Sequence, residues 1–123
     1  MKIGISSTGN SAGAMLDMRF GRCSYFAIYD TDTKTTEFIQ NPAQSASGGA
    51  GIAAAQEMIN ADVEVLITGN VGPNAYNVFA NSDIKVFRCA SVPVENAAQL
   101  FLESKLQQIT QAGPAHAGMK PRF

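Results

Sequence analysis

Few residues in this chain could do chemistry, and they fall into two sets. Cys23, Cys89 and His116 offer the soft or borderline ligands that transition metals take, and Arg19, Arg22 and Arg88 offer fixed positive charge for an anion. Cys23, beside Arg22 in a polar loop, is the better candidate for a lowered thiol pKa and a metal-ligating thiolate. Cys89 reads more readily as a small buried hydrophobe, and His116 sits in a tail punctuated by Gly and Pro. The two cysteines lie far apart and outside any CxxC spacing, which fits reduced thiols rather than a disulfide framework. Because His116 is the only histidine, a Ser/His/Asp or Cys/His enzyme lacks support, and no catalytic activity is expected.

A second kind of chemistry needs no reactive side chain. Residues 63–80, VEVLITGNVGPNAYNVFA, read as a buried strand, a glycine-rich turn and the first turns of a helix. Val65, Leu66 and Ile67 form the continuous apolar run of a parallel strand covered on both faces. Gly69 and Gly72 permit the turn, and Pro73 suits a first helical position, where its missing N–H would have no partner anyway. A helix N-terminus aimed across the end of a strand favours an anion through free N–H groups and about half a positive charge. The same Gly and Pro also serve turn geometry alone, and the sequence leaves both readings open.

The elements that position these groups follow from periodicity. Residues 2–6 form a short strand, followed by a long Gly/Ser/Asn loop that runs on to Arg22. Residues 24–30 and 35–40 form a hairpin around TDTK. A small-residue loop, AQSASGGAG, leads into a helix over 50–60 with Ile52, Ala55, Met58 and Ile59 on one face. After residues 63–80, residues 84–88 form the last strand, and helical spacing runs from about Pro93 through Val94, Ala98, Phe101, Leu102, Leu106 and Ile109. Residues 111–123 are expected to be a frayed tail, so one domain spans residues 1–110.

Right-handed crossovers then predict a single α/β domain with three helices and a five-stranded mixed sheet in the order 3-2-1-4-5, strand 2 antiparallel to the rest. Ligands of open α/β sheets bind at the carboxyl edge. There the prediction gathers Arg19, Arg22, Arg88 and all three helix N-termini, opposed only by Asp17 and Glu95. The result is an electropositive rim on a chain whose net charge is only -1. Cys23 and Cys89 would stand three strand spacings apart, about 14 Å, too far for a disulfide or for gripping one small ion together.

Composition and motifs exclude other classes. Near-neutral charge gives no general attraction to nucleic acid or acidic membranes. No apolar stretch approaches the ~20 residues of a membrane span, and MKIGISSTGN has no apolar leader core, so a cytoplasmic protein is expected. GAGIAA at residues 49–54 imitates a dinucleotide fingerprint but does not follow a strand, and VEVLIT ends without the required acid. The strand order is that of ribonuclease H-like domains, whose nuclease chemistry needs several carboxylates, one of them on the first strand. That strand here is KIGIS.

The segments MRFGRCSYFAIYD, GGAG, TGNVGPNAYNVF and VPVENAAQLFLESKL together resemble the dinitrogenase iron-molybdenum cofactor biosynthesis family over residues 1 to about 110. The resemblance implies a ribonuclease H-like topology without nuclease activity, and carriage of iron-molybdenum cofactor, its precursors, or other metal-sulfur clusters including molybdenum-copper ones. Phe20, Gly21 and Arg22 match the family's FGR loop, and Gly69, Gly72, Pro73, Asn74 and Ala75 match its glycine-proline turn. Many relatives place histidine before FGR and in the loop before the first helix, where this chain has Arg19 and AQSASGG. These departures suit an anionic, preformed cluster held by charge and N–H groups. The expected cofactor-binding set is therefore Asn10, Arg19, Phe20, Gly21, Arg22, Gly48, Gly49, Gly69, Asn70, Gly72, Asn74 and Arg88, with Cys23, Cys89 and His116 as candidate metal ligands. Expected partners are a cluster-donating or cluster-receiving protein and a second copy of the chain in a homo-oligomer. The alternatives are a phosphate- or nucleotide-binding module, or a ligand-free protein-interaction domain.

Overall fold

The computed structural model describes residues 1–11, 13–43 and 49–113. Its elements run β1 (Lys2–Ser7), a 3-10 turn (Phe20–Arg22), β2 (Tyr25–Asp30), β3 (Thr35–Gln40), α1 (Ala50–Asn60), β4 (Val65–Thr68), α2 (Pro73–Ala80), β5 (Lys85–Arg88), α3 (Val94–Leu102) and β6 (Gln107–Gln108). The sheet order is β3-β2-β1-β4-β5-β6. β1, β4 and β5 are parallel neighbours, and β2 lies antiparallel between β1 and β3.

The period of two along each strand divides the core. Phe26, Ile28, Leu66 and Val86 face one way and pack with α1 and α2, while Ile3, Ile5, Ala27, Val65 and Ile67 face the other way, toward α3. Because helices cover both faces, β4 is buried along its whole length, as its apolar run requires.

The expected five strands become six, and the last helix is shorter than its periodicity. α3 stops at Leu102 because Ser104 takes a left-handed conformation (φ 60°). The Ser104 N–H then bonds the Phe101 carbonyl and the Lys105 N–H the Leu100 carbonyl, a Schellman ending. The chain turns back, and Gln107 and Gln108 pair antiparallel with Arg88 and Phe87. Leu106 and Ile109 therefore reach the core from beyond the helix, one against each layer.

Ile52 is a second correction. The core stripe of α1 is Ala50, Ala54, Ala55 and Met58, leaving Ile52 47 % exposed. The long loop after β1 has more structure than its composition suggests. Isolated bridges tie Leu16 to Ser7, Met15 to Pro93 and Arg19 to Asn70, and Leu16 is fully buried.

Candidate functional site

The 3-10 turn and the N-termini of α1 and α2 converge on one cavity of about 440 Å³ at the carboxyl edge of the sheet. Close approach is possible because the contact points are small. A Cβ on Gly21 would sit 3.1 Å from the Gly51 Cα and N, and one on Gly51 would sit 3.3 Å from the Ala75 Cβ. Glycine at these two positions lets the turn rest on α1 and α1 rest on α2. Phe20 anchors the turn from below, its ring centroid 5.5 Å from that of Phe26 and 5.3 Å from that of Phe79.

Among the described residues, no side chain caps either helix where it opens on the cavity. Their N-caps are Gly49 and Gly72, Pro73 occupies the first position of α2, and neither first turn holds an acidic residue. First-turn N–H groups that no cap side chain fills, together with two helix dipoles, make this wall attractive to anions. α3 differs: it carries Glu95 in its first turn and packs on the opposite face of the sheet.

Eight of the expected binding residues line the cavity: Arg19, Phe20, Gly21, Arg22, Gly49, Asn70, Gly72 and Asn74. Gly69 lies just behind it, where a Cβ would fall 2.7 Å from the Met18 Cα. Among the described residues the rim is smaller than the sequence suggests, with two arginines and two helix N-termini. Arg88 is a correction: its Nε donates to the Gly69 carbonyl at 3.3 Å, and its side chain borders a separate small groove beside β6. Asn10 is exposed in the loop after β1 and does not line the cavity. Gly48 and His116 lie outside the described residues. Among the described residues, five lining residues stood outside the expected binding set: Ala50, Gly51 and Ile52 of α1, and Pro73 and Ala75, which the sequence had assigned only to the glycine-proline turn. The signal for Ile52 was the helix period, since a stripe through positions 50, 54, 55 and 58 turns position 52 outward.

Cys23 is the main chemical correction. Its side chain is fully buried beneath the 3-10 turn, and its thiol donates to the Phe20 carbonyl at 3.2 Å. Burial, with Asp17 nearby adding to it, pushes the thiol from 9.0 up to about 12, the reverse of the lowered pKa expected from Arg22. Cys89 is buried in the other layer, and burial pushes its thiol up as well. Both are free thiols, and among the described residues no group of three or more His, Cys, Asp or Glu could hold a metal ion.

At pH 8 on the order of one Cys23 in ten thousand would be thiolate. Ellman's reagent is therefore expected to modify neither cysteine in the folded protein within minutes, and both once it is denatured; a fast one-thiol burst from native protein would contradict the burial. The sign of the shift also sets a pH dependence. The contribution of Cys23 to stability is complete below pH 9 and is lost as pH rises toward 12.

Arg19 does not present its charge bare. Asp17, 7 % exposed, accepts the Arg19 backbone N–H at 2.9 Å through Oδ1 and two guanidinium bonds at 3.3 Å, from Nε to Oδ1 and from Nη2 to Oδ2. This bonding holds the Arg19 pKa above its ordinary value.

These features define a class: a single α/β domain, helices on both faces of a mixed sheet, with a cavity assembled at the carboxyl edge from a 3-10 turn and two helix N-termini. The chain belongs to the dinitrogenase iron-molybdenum cofactor family, whose model matches residues 1–104. It is 33 % identical over 111 residues to the uncharacterized protein MJ0580 of Methanocaldococcus jannaschii, covering 88 % of this chain and 91 % of that one. Among solved structures it is similar to the apo form of the orange protein from Desulfovibrio gigas, with a TM-score of 0.87, 32 % identity, and 91 % and 95 % of the two chains covered. A Thermotoga protein provisionally assigned as NifB gives a TM-score of 0.80 at 32 % identity over 91 % and 96 %. Among the described residues, no helix is long and apolar enough to cross a membrane.

Proposed function

We propose that this protein is a non-enzymatic carrier whose cargo is an anionic metal-sulfur cluster, an iron-molybdenum cofactor precursor or a molybdenum-copper cluster, bound in the cavity between the FGR turn and the N-termini of α1 and α2. The observation that carries the reading is the convergence of two glycine-capped helix N-termini with Arg19 and Arg22 on one 440 Å³ space. Thiometallates are anions, and a cavity of this chemistry holds a preformed anion by charge and N–H donors without supplying thiolate ligands. Family membership and the likeness to the orange protein support the same reading. A carrier of this kind exchanges its cargo with a cluster-donating or cluster-receiving protein.

The test is anaerobic incubation with iron, molybdate, copper and sulfide, in combination and singly, followed by desalting, metal analysis and visible absorption. The expected result is a coloured protein with stoichiometric metal. Arg22→Ala should lower cargo affinity about tenfold, the effect of removing one charge-assisted contact. Protein that stays colourless and metal-free in every combination would sink the proposal. A thermal shift with nucleotides but none with tetrathiomolybdate would favour the phosphate-binding alternative.

A further inference from the structure

We infer that Asp17 is a specificity-determining residue, a built-in counter-charge that keeps the cavity from capturing small oxyanions such as phosphate. The inference rests on reading the cavity as an anion site. Asp17 is buried behind the wall, and its main chain is bonded into the end of β1. Its N–H donates to the Ser6 carbonyl at 2.9 Å, and its own carbonyl accepts the Ser6 hydroxyl at 2.6 Å. That hydroxyl in turn accepts from Thr68 Oγ1 at 2.7 Å. Ser6 and Thr68 are both fully buried, so the backbone that carries the carboxylate is fixed by the core.

Its two oxygens take the Arg19 backbone N–H and two of the five guanidinium donors. Three guanidinium donors remain on an arginine whose side chain is 63 % exposed and lines the cavity. Among the described residues, the formal charges at the wall, two arginines less one aspartate, sum to a single positive unit. A small dianion meets a cation already half neutralised. A larger anion that reaches both helix N-termini and Arg22 together gathers enough contacts to bind. Charge subtraction thus favours extended polyanions over abundant small ones, a form of rejection built against the wrong partner.

The experiment is calorimetric titration of wild type, Asp17→Asn and Asp17→Glu with inorganic phosphate and with a larger polyanion, a copper–thiomolybdate cluster preassembled from tetrathiomolybdate and copper(I), at low salt and in 0.5 M NaCl. Asparagine keeps the acceptor for the Arg19 N–H and removes the charge. Asp17→Ser is the second neutral variant should Asp17→Asn fail to fold. Phosphate affinity is expected to rise about fivefold in the neutral variants at low salt, to change little in Asp17→Glu, and to lose the gain in 0.5 M NaCl. A neutral variant that binds phosphate no better than wild type, or more weakly, would show that Asp17 only orients Arg19 and overturns the inference. If wild type binds the copper–thiomolybdate cluster while this happens, the inference alone fails. If neither anion binds any variant, the anion-site reading falls with it.

Discussion

Phe20→Ala is expected to lower the unfolding free energy by about 3–5 kcal/mol, the range for deleting a buried aromatic ring. Phe20 is 2 % exposed and packs against both Phe26 of β2, tilted, and Phe79 of α2, edge-on, so its loss opens a void shared by the sheet and a helix. It is also the first residue of the turn that presents Arg22 and Gly21 to the cavity. The variant should therefore lose cargo binding even at temperatures where it remains folded. Denaturant midpoints measure the first effect and anaerobic loading the second. Phe20→Leu refills most of the volume and should cost less than about 1.5 kcal/mol. A loss below about 1 kcal/mol for Phe20→Ala would mean that the turn is not anchored through this ring.

Gly69→Ala is expected to destabilise by about 2–3 kcal/mol, although it adds only one carbon. The new Cβ would lie 2.6 Å from Met18 Cε and 2.7 Å from Met18 Cα. The end of the methionine can swing away, but the backbone cannot, because the Asn70 N–H is bonded to the Met18 carbonyl at 3.0 Å and Arg19 bridges Asn70. Overpacking against fixed backbone sets this magnitude. For a domain of this size a melting point about 8–12 °C lower follows. Since separating Met18 from Gly69 also shifts Arg19 and Asn70, two cavity residues, loading should weaken in the same variant. Gly13→Ala is the control: nothing lies within 4 Å of its added carbon, and its stability should stay within about 0.5 kcal/mol of wild type. Equal melting points for the two variants would show that the loop does not bear on Gly69.

The strand and helix over residues 63–80 were legible because each signal is local. An apolar run and a proline at the first helical position state their conformations without reference to distant residues, whereas Gly72 has an ordinary extended backbone (φ -71°, ψ 174°) and Gly69 is required by the approach of Met18. α1 begins and ends where its pattern indicates. Its buried stripe was misjudged because large Ile52 outweighs Ala50 and Ala54 in any reading by residue type, while in the fold the alanines let α1 lie close to its neighbours. Continuous helical spacing at Leu106 and Ile109 hid β6, since the left-handed turn at Ser104 carries no glycine to announce it.

The amino-acid sequence by itself determined the order and kinds of most elements, the parallel β1-β4-β5 centre, and the placing of the FGR turn and the glycine-proline turn at one edge of the sheet. Hydrophobic period and crossover handedness are properties of short segments and their succession. Only the tertiary structure decided that Cys23 faces the core, that Arg88 turns to Gly69, and that Asp17 answers Arg19. Those outcomes depend on burial and on partners brought from elsewhere in the chain. The charge of a group and its reactivity follow from what surrounds it in space, not from the residues beside it in sequence.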